Sequence, residues 1–340
     1  MPESPEITVV IPTRDRWSYL SLTLASALGQ EDVDLEAIVV VDGSGDETAE
    51  RLAGLGDRRI RTIRNGKPRG VARARNAGLA AARGEWIAFL DDDDVWAPRK
   101  LRAQLDAAER ARAAFAYCAA VVIDETGAVI DREAPPPDPH ELPATLFRAN
   151  LIPAPGSNVV ARTAVIRRLG GFDEGARFDD WDMWIRLAAA ETGAACSEVL
   201  VAYRRHRRNR ALADRDSLRP GLAYLVRKHR ALAAEHEVSF DELAFSRWVA
   251  FCERRSGRRL RAMRTCLASA WAHRKPAGVA RAIMIVLGPW AAWSWRPVRP
   301  PATPGWLERY QVPSRSSPED RTPRAETPPR PRPPAPTPSP

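Results

Sequence analysis

GEWIAFLDDDDVWAPRKL, residues 84–101, is the stretch on which the reading of the chain turns. An apolar run over residues 86–90 delivers Asp91, Asp92, Asp93 and Asp94 to its carboxyl end, and Pro98 follows where a helix would begin. A strand that is apolar throughout belongs in a parallel sheet covered on both faces by helices, and such sheets bind ligands outside the carboxyl ends of their strands. Two like charges about 4 Å apart repel by roughly 4 kcal/mol at an effective dielectric near 20. Four adjacent, partly desolvated carboxylates must therefore protonate, splay into water or bind a cation. In an extended segment side chains two apart point the same way, so Asp91 and Asp93 are expected to face one ligand while Asp92 and Asp94 turn away. Hard oxygen ligands of this kind suit Mg2+ or Mn2+. The competing reading is a solvated acidic turn that caps the helix at Pro98.

The same alternation fills the first half of the chain. ITVVI (7–11), AIVVV (37–41), IRTIR (60–64) and WIAFL (86–90) are separated by helical patterns at 16–29 and 69–83, which predicts an α/β fold with a parallel sheet. Residues 115–203 are more mixed, with strands expected at 115–123 and 198–203 and a proline-rich crossing, APPPDPHELP, at 134–143. From 217 to 273 the pattern turns helical: Leu222, Leu225, Val226 and Leu232, then Leu243, Trp248 and Phe251, recur at three- and four-residue spacings. The segment GVARAIMIVLGPWAAWSWRP (278–297) joins an apolar stretch to Trp290, Trp293 and Trp295 with arginines at its edges. It either lies in a membrane interface or docks as a buried helix ended by Gly288 and Pro289. Beyond Trp295 the chain is rich in Pro, Ser, Thr and Arg and cannot bury enough apolar surface to offset the entropy of ordering. The expected organisation is a main domain over 1–215, a helical appendage over 216–296 that contacts the membrane periphery on the first of those two readings, and a disordered tail over 297–340.

Bulk properties narrow the setting. The 340 residues are 44% hydrophobic, enough for one sizeable core plus an appendage. No apolar run reaches the roughly 20 residues a helix needs to cross a bilayer. A net charge of +9, mostly from arginine, suits anionic partners such as nucleotides or phospholipid headgroups. Nucleic acid is not expected, because the arginines form no recognition-helix or aromatic-interleaved pattern. Cys118, Cys196, Cys252 and Cys266 are scattered and no charged-then-apolar leader opens the chain, so a cytoplasmic setting is expected, at the inner face of the cell membrane if 278–297 is interfacial.

Residues 90–101 resemble the aspartate motif of the family 2 glycosyltransferases, L-D-x-D-D-x-W-x-P-x-K-L. Further stretches resemble the same family in the same order. VVIPTRDRWSYL (9–20) looks like its first strand and loop, and EAIVVVDGSGDET (36–48) like its E-I-I-V-V-D-D-G-S-T-D-x-T. RGVARARNAGLAAARGE (69–85) carries an A-R-N-x-G element, GGFDEGARFDDWDMWIRLA (170–188) is similar to G-G-F-D-E followed by E-D-W-D-L-W-x-R, and VAYRRHRRNR (201–210) to Y-R-x-H. The resemblance covers roughly residues 6–210 and implies a GT-A-like, Rossmann-like fold in which 115–203 supplies the acceptor side. The activity it implies is inverting transfer of a sugar from a nucleotide-diphospho-sugar to a saccharide, lipid-linked or small-molecule acceptor, assisted by Mg2+ or Mn2+.

Carried over residue by residue, the resemblance sets Pro12, Thr13, Arg14, Asp42, Arg75, Asp91 and Asp92 at the nucleotide-sugar. Asp42 would accept from a nucleobase N–H, with Gly43 and Gly45 letting the loop pass close to the ligand. Asp91, Asp93 and His206 would hold the metal, with Asp94 a helper and Arg204 and Arg205 on the diphosphate. Asp180 matches the catalytic base. Two departures stand out: Val41 replaces the first of two aspartates, and Asp179 replaces a glutamate. For several residues a plainer role competes: helix capping for Asp179 and Asp180, packing or surface for Arg75, and a solvated surface for His206 and its arginines. Two other functions share these features, a sugar nucleotidylyltransferase and a non-catalytic binding or scaffold protein. The first would need a glycine-rich phosphate loop after the first strand, and PTRDRW has no glycine.

Overall fold

The computed structural model describes residues 4–132, 135–206, 216–255, 257–274 and 302–310. Its first half alternates strand and helix: β1 (Ile7–Thr13), α1 (Trp17–Leu28), β2 (Leu35–Asp42), α2 (Thr48–Gly54), β3 (Ile60–Asn65), α3 (Val71–Ala81) and β4 (Trp86–Phe89). Then come the short β5 (Val95–Trp96), α4 (Lys100–Ala111), β6 (Phe115–Ile123), β7 (Val129–Arg132), α5 (Leu142–Arg148), β8 (Val160–Arg162), α6 (Thr163–Arg168), α7 (Asp179–Ala190) and β9 (Gly193–Arg204). Four helices follow, α8 (Leu218–Lys228), α9 (Arg230–Glu235), α10 (Glu242–Arg255) and α11 (Arg259–Ala272), and a 3-10 turn spans Gly305–Tyr310.

The strands form one mixed sheet in the order β3-β2-β1-β4-β8-β6-β9-β5, with β7 on β6. The parallel half, β3 to β4, is the sheet the β-branched runs predict. Strands β1 and β2 run in register from Ile7 against Leu35 to Thr13 against Val41, so their carboxyl ends finish together. The Leu90 N–H donates to the Val10 carbonyl, which sets the end of β4 beside them.

Strict two-residue alternation sorts the strand side chains onto two cores. Val10, Ile38, Val40, Ile87 and Phe89 face one, while Ile7, Val9, Ile11, Ala37, Val39, Val41 and Ala88 face the other. Both faces are buried, which is why these strands are apolar throughout.

The helices after residue 216 form the expected carboxyl-terminal helical region, and Leu218, Leu222, Leu225, Ala233, Phe245 and Val249 share the first of those cores with Val10 and Phe89. One expectation about the later chain changes. The tail is not uniformly without order: Leu307 is fully buried and Tyr310 nearly so, against Val95, Val121, Ile123 and Ala202. Trp306 Nε1 donates to the Val199 carbonyl at 3.3 Å. Average composition hides the reason, which is that Trp306, Leu307 and Tyr310 put three large side chains within five residues of a proline-rich run. The segment 278–297 lies outside the described residues.

Candidate active site

The four aspartates do not lie extended. Asp94 N–H donates to the Asp91 carbonyl at 3.2 Å, closing a turn between β4 and β5. In a turn the two-residue alternation lapses, and each carboxylate finds its own partners. Asp91 Oδ1 accepts from Arg75 Nη2 at 2.6 Å. Asp92 accepts from Thr13 Oγ1 at 2.8 Å and Arg16 Nη1 at 3.0 Å. Asp93 Oδ2 accepts from Arg16 Nη1 at 2.9 Å and lies 2.8 Å from His206 Nε2. Asp94 accepts from Ser157 Oγ at 2.5 Å and the Arg204 N–H at 2.8 Å, which makes it a strut between β4, β9 and the loop before β8. Gly156 in that loop is required, because a Cβ there would run into the Asp91 carboxylate.

Arg75 joins this turn to the start of α7. Its Nη1 donates to Asp179 Oδ2 at 2.6 Å while Nη2 holds Asp91. Burial alone would disfavour its charge, but Asp91, Asp179 and Asp180 outweigh burial and raise its pKa. Burial pushes Asp91 up and Asp94 well up. Burial and then the Asp93 charge push Asp92 to about 7. Asp180, under burial and the adjacent Asp179, is pushed to about 6.

One cavity of about 850 Å³ gathers Pro12, Thr13, Arg14, Asp42, Arg75, Asp91, Asp92, Asp93, Asp179 and Asp180. His206 is in contact with Asp93 but buried behind it, stacked on the Tyr19 ring at 5.0 Å. It is therefore not a solvated surface residue. Asp42 lines the cavity and also accepts from Asn65 Nδ2, the Arg69 N–H and the Gly70 N–H at 2.8–3.0 Å, so it staples the start of α3 as well. Two other expectations change. Gly43, at φ +69°, makes room for the Pro68 backbone of the protein itself. Arg204 points inward, its Nε on the Asp93 carbonyl at 3.0 Å and its guanidinium over the Tyr19 ring, so of the two arginines only Arg205 lines the cavity.

Residues the sequence did not assign to the site complete it. Arg16 bridges Asp92 and Asp93; its signal was a second arginine in TRDRW, with nothing to tie it to aspartates 76 and 77 residues on. Arg148, Arg177, Phe178, Phe245, Trp248 and Phe251 line the side of the cavity away from the turn. Behind α7, Asp182 is fully buried and bound by Arg186, His229 and Lys228 at 2.7–2.9 Å. Burial would raise its pKa, but those bonds hold it well below the usual carboxylate range.

The donor chemistry fits a hard divalent cation, since Asp91 and Asp93 offer carboxylate oxygens and His206 a nitrogen. Among the described residues no three metal-binding side chains converge into a closed ligand set. Asp91 is turned onto Arg75 and Asp93 onto Arg16 instead.

Solved structures share this architecture. S. aureus TarS in complex with UDP-GlcNAc aligns with a TM-score of 0.52 at 14% identity, covering 82% of this chain and 89% of that one. The mannosyltransferase PcManGT from Pyrobaculum calidifontis, in complex with GDP-Man and Mn2+, aligns at 0.53 with 20% identity, covering 86% and 82%. The fold is GT-A, with a helical carboxyl-terminal region. Residues 8–170 match Glycosyl transferase family 2, and the domain they form belongs to that family. Among curated relatives, the succinoglycan biosynthesis protein ExoO of Rhizobium meliloti is 41% identical over 112 residues, 33% of this chain and 32% of that protein. An uncharacterized glycosyltransferase of Rickettsia prowazekii is 27% identical over 209 residues, 60% of this chain and 65% of that one. The Escherichia coli glucosyltransferase WfgD, named for UDP-Glc and α-D-GlcNAc-diphosphoundecaprenol, is 32% identical over 111 residues, 33% of this chain and 44% of its own length. The chain thus spans from a third to two thirds of the length of these three relatives.

Proposed function

We propose that this chain transfers a glycosyl group from a nucleotide-diphospho-sugar to an acceptor hydroxyl, with inversion at the anomeric carbon. The observation that carries the reading is Arg75, whose two 2.6 Å bonds tie the acidic turn after β4 to the acidic start of α7, so that Asp180 faces the turn across one cavity. The nucleotide sugars bound by TarS and PcManGT support such a donor, held on the side of Pro12, Thr13, Arg14, Arg16 and Asp92. The acceptor named for WfgD and the succinoglycan pathway of ExoO support a saccharide acceptor, lipid-linked among the options. The diphosphoundecaprenol acceptor named for WfgD supports a cytoplasmic setting at the inner face of the membrane.

In this reading Asp180 takes the proton of the acceptor hydroxyl as its oxygen bonds to the anomeric carbon, while the bond from that carbon to the diphosphate oxygen breaks. A carboxyl pushed to about 6 is well matched to proton transfer near neutral pH. Arg14 and Arg205, both on the cavity wall, meet the negative charge of the departing nucleotide. Asp91 and Asp93 would hold Mg2+ or Mn2+ from the cavity side, with His206 steadying Asp93 from behind unless its ring turns to join them, and the cation would stabilise developing negative charge on a diphosphate; the Mn2+ of PcManGT supports this.

The test is single-turnover transfer from a panel of nucleotide sugars, with donor binding by calorimetry. Asp180→Asn should slow transfer about 10²–10⁴-fold with donor affinity near wild type. Wild-type transfer should fall as pH drops below about 6, where Asp180 is protonated. Asn is itself a good helix cap, so if Asp180 only caps α7 the variant should transfer at the wild-type rate, and that result removes it from the mechanism.

A further inference from the structure

Helix α11 carries its large apolar side chains on the face turned away from the protein. Against α10 it presents small or short polar residues, with Ala262, Thr265, Cys266, Ser269 and Ala270 buried. Outward, Leu260, Leu267 and Trp271 are 64%, 39% and 87% exposed. At 3.6 residues per turn, positions 260, 264, 267 and 271 fall in one stripe, so the three form a continuous ridge with Arg264 inside it. A helix that merely closed a domain would have these two faces reversed.

Charge identifies what the ridge meets. Between Glu253 and Glu308 the sequence has eleven Lys and Arg and no Asp or Glu, more than the +9 of the whole chain. Arg258, Arg259, Arg261, Arg264 and Arg274 are all exposed around the ridge, and Arg261 pairs with Asp216 at 2.7 Å. A second copy of this chain would bring the basic face against itself. Residues 275–299 include an uncharged apolar run, 282–295, that could cover the ridge but has no acid to offer the arginines around it. Neither occupant supplies anions, whereas an anionic bilayer complements both the charge and the apolar ridge.

We propose that the outer face of α11 docks on an anionic phospholipid surface, with Leu260, Leu267 and Trp271 entering the boundary between headgroups and acyl chains and the surrounding arginines meeting lipid phosphates. Helix α10 stands between α11 and the cavity, to which it presents Phe245, Trp248 and Phe251. The docked bilayer then lies about one helix diameter, ~10 Å, from the wall opposite the acidic turn.

The experiment is sedimentation of the full chain with vesicles of equimolar phosphatidylglycerol and phosphatidylcholine, and with phosphatidylcholine alone. Wild type should sediment with the anionic vesicles only, and less so as salt is raised. Leu267→Glu with Trp271→Glu should weaken binding by about tenfold or more while circular dichroism and donor binding stay unchanged, since both sites are exposed. Arg264→Gln should cost roughly fivefold at low salt and much less at high salt. Failure to sediment, equal binding to neutral vesicles, undiminished binding by the double variant, or a dimer that the same substitutions abolish would each overturn the proposal.

Discussion

Replacing Arg75 with Met asks whether the two acidic sites form one charge system. The guanidinium is 4% exposed and donates at 2.6 Å to Asp91 and to Asp179. Met retains most of the aliphatic reach and leaves both carboxylates, with Asp180 beside them, without their shared cation. Removing one partner of a buried pair costs about 3–5 kcal/mol, because the other charge stays buried and uncompensated. Most of that falls on Asp179, which is as buried as Arg75; Asp91 is 33% exposed, and water takes over part of its solvation. A loss of about 3–4 kcal/mol near pH 8 is expected, against the roughly 5–15 kcal/mol that holds a typical domain folded. The loss should shrink in acid. Burial already raises the Asp91 and Asp180 carboxyls, and without the Arg75 charge they rise further, so the folded variant binds protons before the unfolded chain as pH falls, and that uptake relieves the repulsion. Urea unfolding followed by circular dichroism near pH 8 and near pH 5.5 measures both effects. A change under about 1 kcal/mol, or one equal at the two pH values, would show that the carboxylates do not depend on Arg75.

Two further predictions concern residues far from the chemistry. Leu307→Ala should cost about 2–5 kcal/mol in a thermal or urea melt, because Leu307 is fully buried in the cluster beside Val95 and Ala202; a neutral effect would mean the 302–310 segment does not hold in solution. Lys100 is fully buried, its Nζ has no hydrogen-bond partner among the described residues and sits 3.8 Å from the Trp96 ring centre, and burial lowers its pKa to about 7. A depressed lysine costs stability below its unfolded pKa of about 10.4, increasingly as pH falls toward 7, so Lys100→Met should stabilise the fold by a few kcal/mol near pH 6 and by little near pH 10. A variant less stable than wild type at both would show that the ammonium contributes more than its burial costs.

The parallel half of the fold was legible because each strand is a short apolar run and burial on both faces demands that pattern. The aspartate turn was legible as a site for the same reason that it misled as a geometry: four carboxylates in a row announce unusual chemistry, but the bond from Asp94 back to Asp91 that folds them into a turn leaves no mark on side-chain type. Partnerships across long separations were out of reach. Nothing in TRDRW specifies that Arg16 meets Asp92 and Asp93, and nothing near Asp42 in sequence shows that it accepts from the Arg69 and Gly70 N–H groups. The helical spacings near 217–273 were correct about type, yet they could not tell that Leu218 and Phe245 enter the sheet's own core, since an amphipathic stripe does not name what it packs against.

Asp182 sets a limit on how this protein could be re-engineered or could diverge. One turn of α7 carries Asp179 and Asp180 toward the cavity and Asp182 toward Lys228 and His229 at the end of α8. A chimera that exchanged everything after residue 216 for helices lacking Lys228 and His229 would leave this buried carboxylate, two positions from the proposed base, with Arg186 alone, and the cost would register in the placement of α7. Point changes at Phe245, Trp248 and Phe251, on the cavity side of α10, reshape the cavity wall while leaving Asp182 and its partners in place, which exchange of the whole module does not.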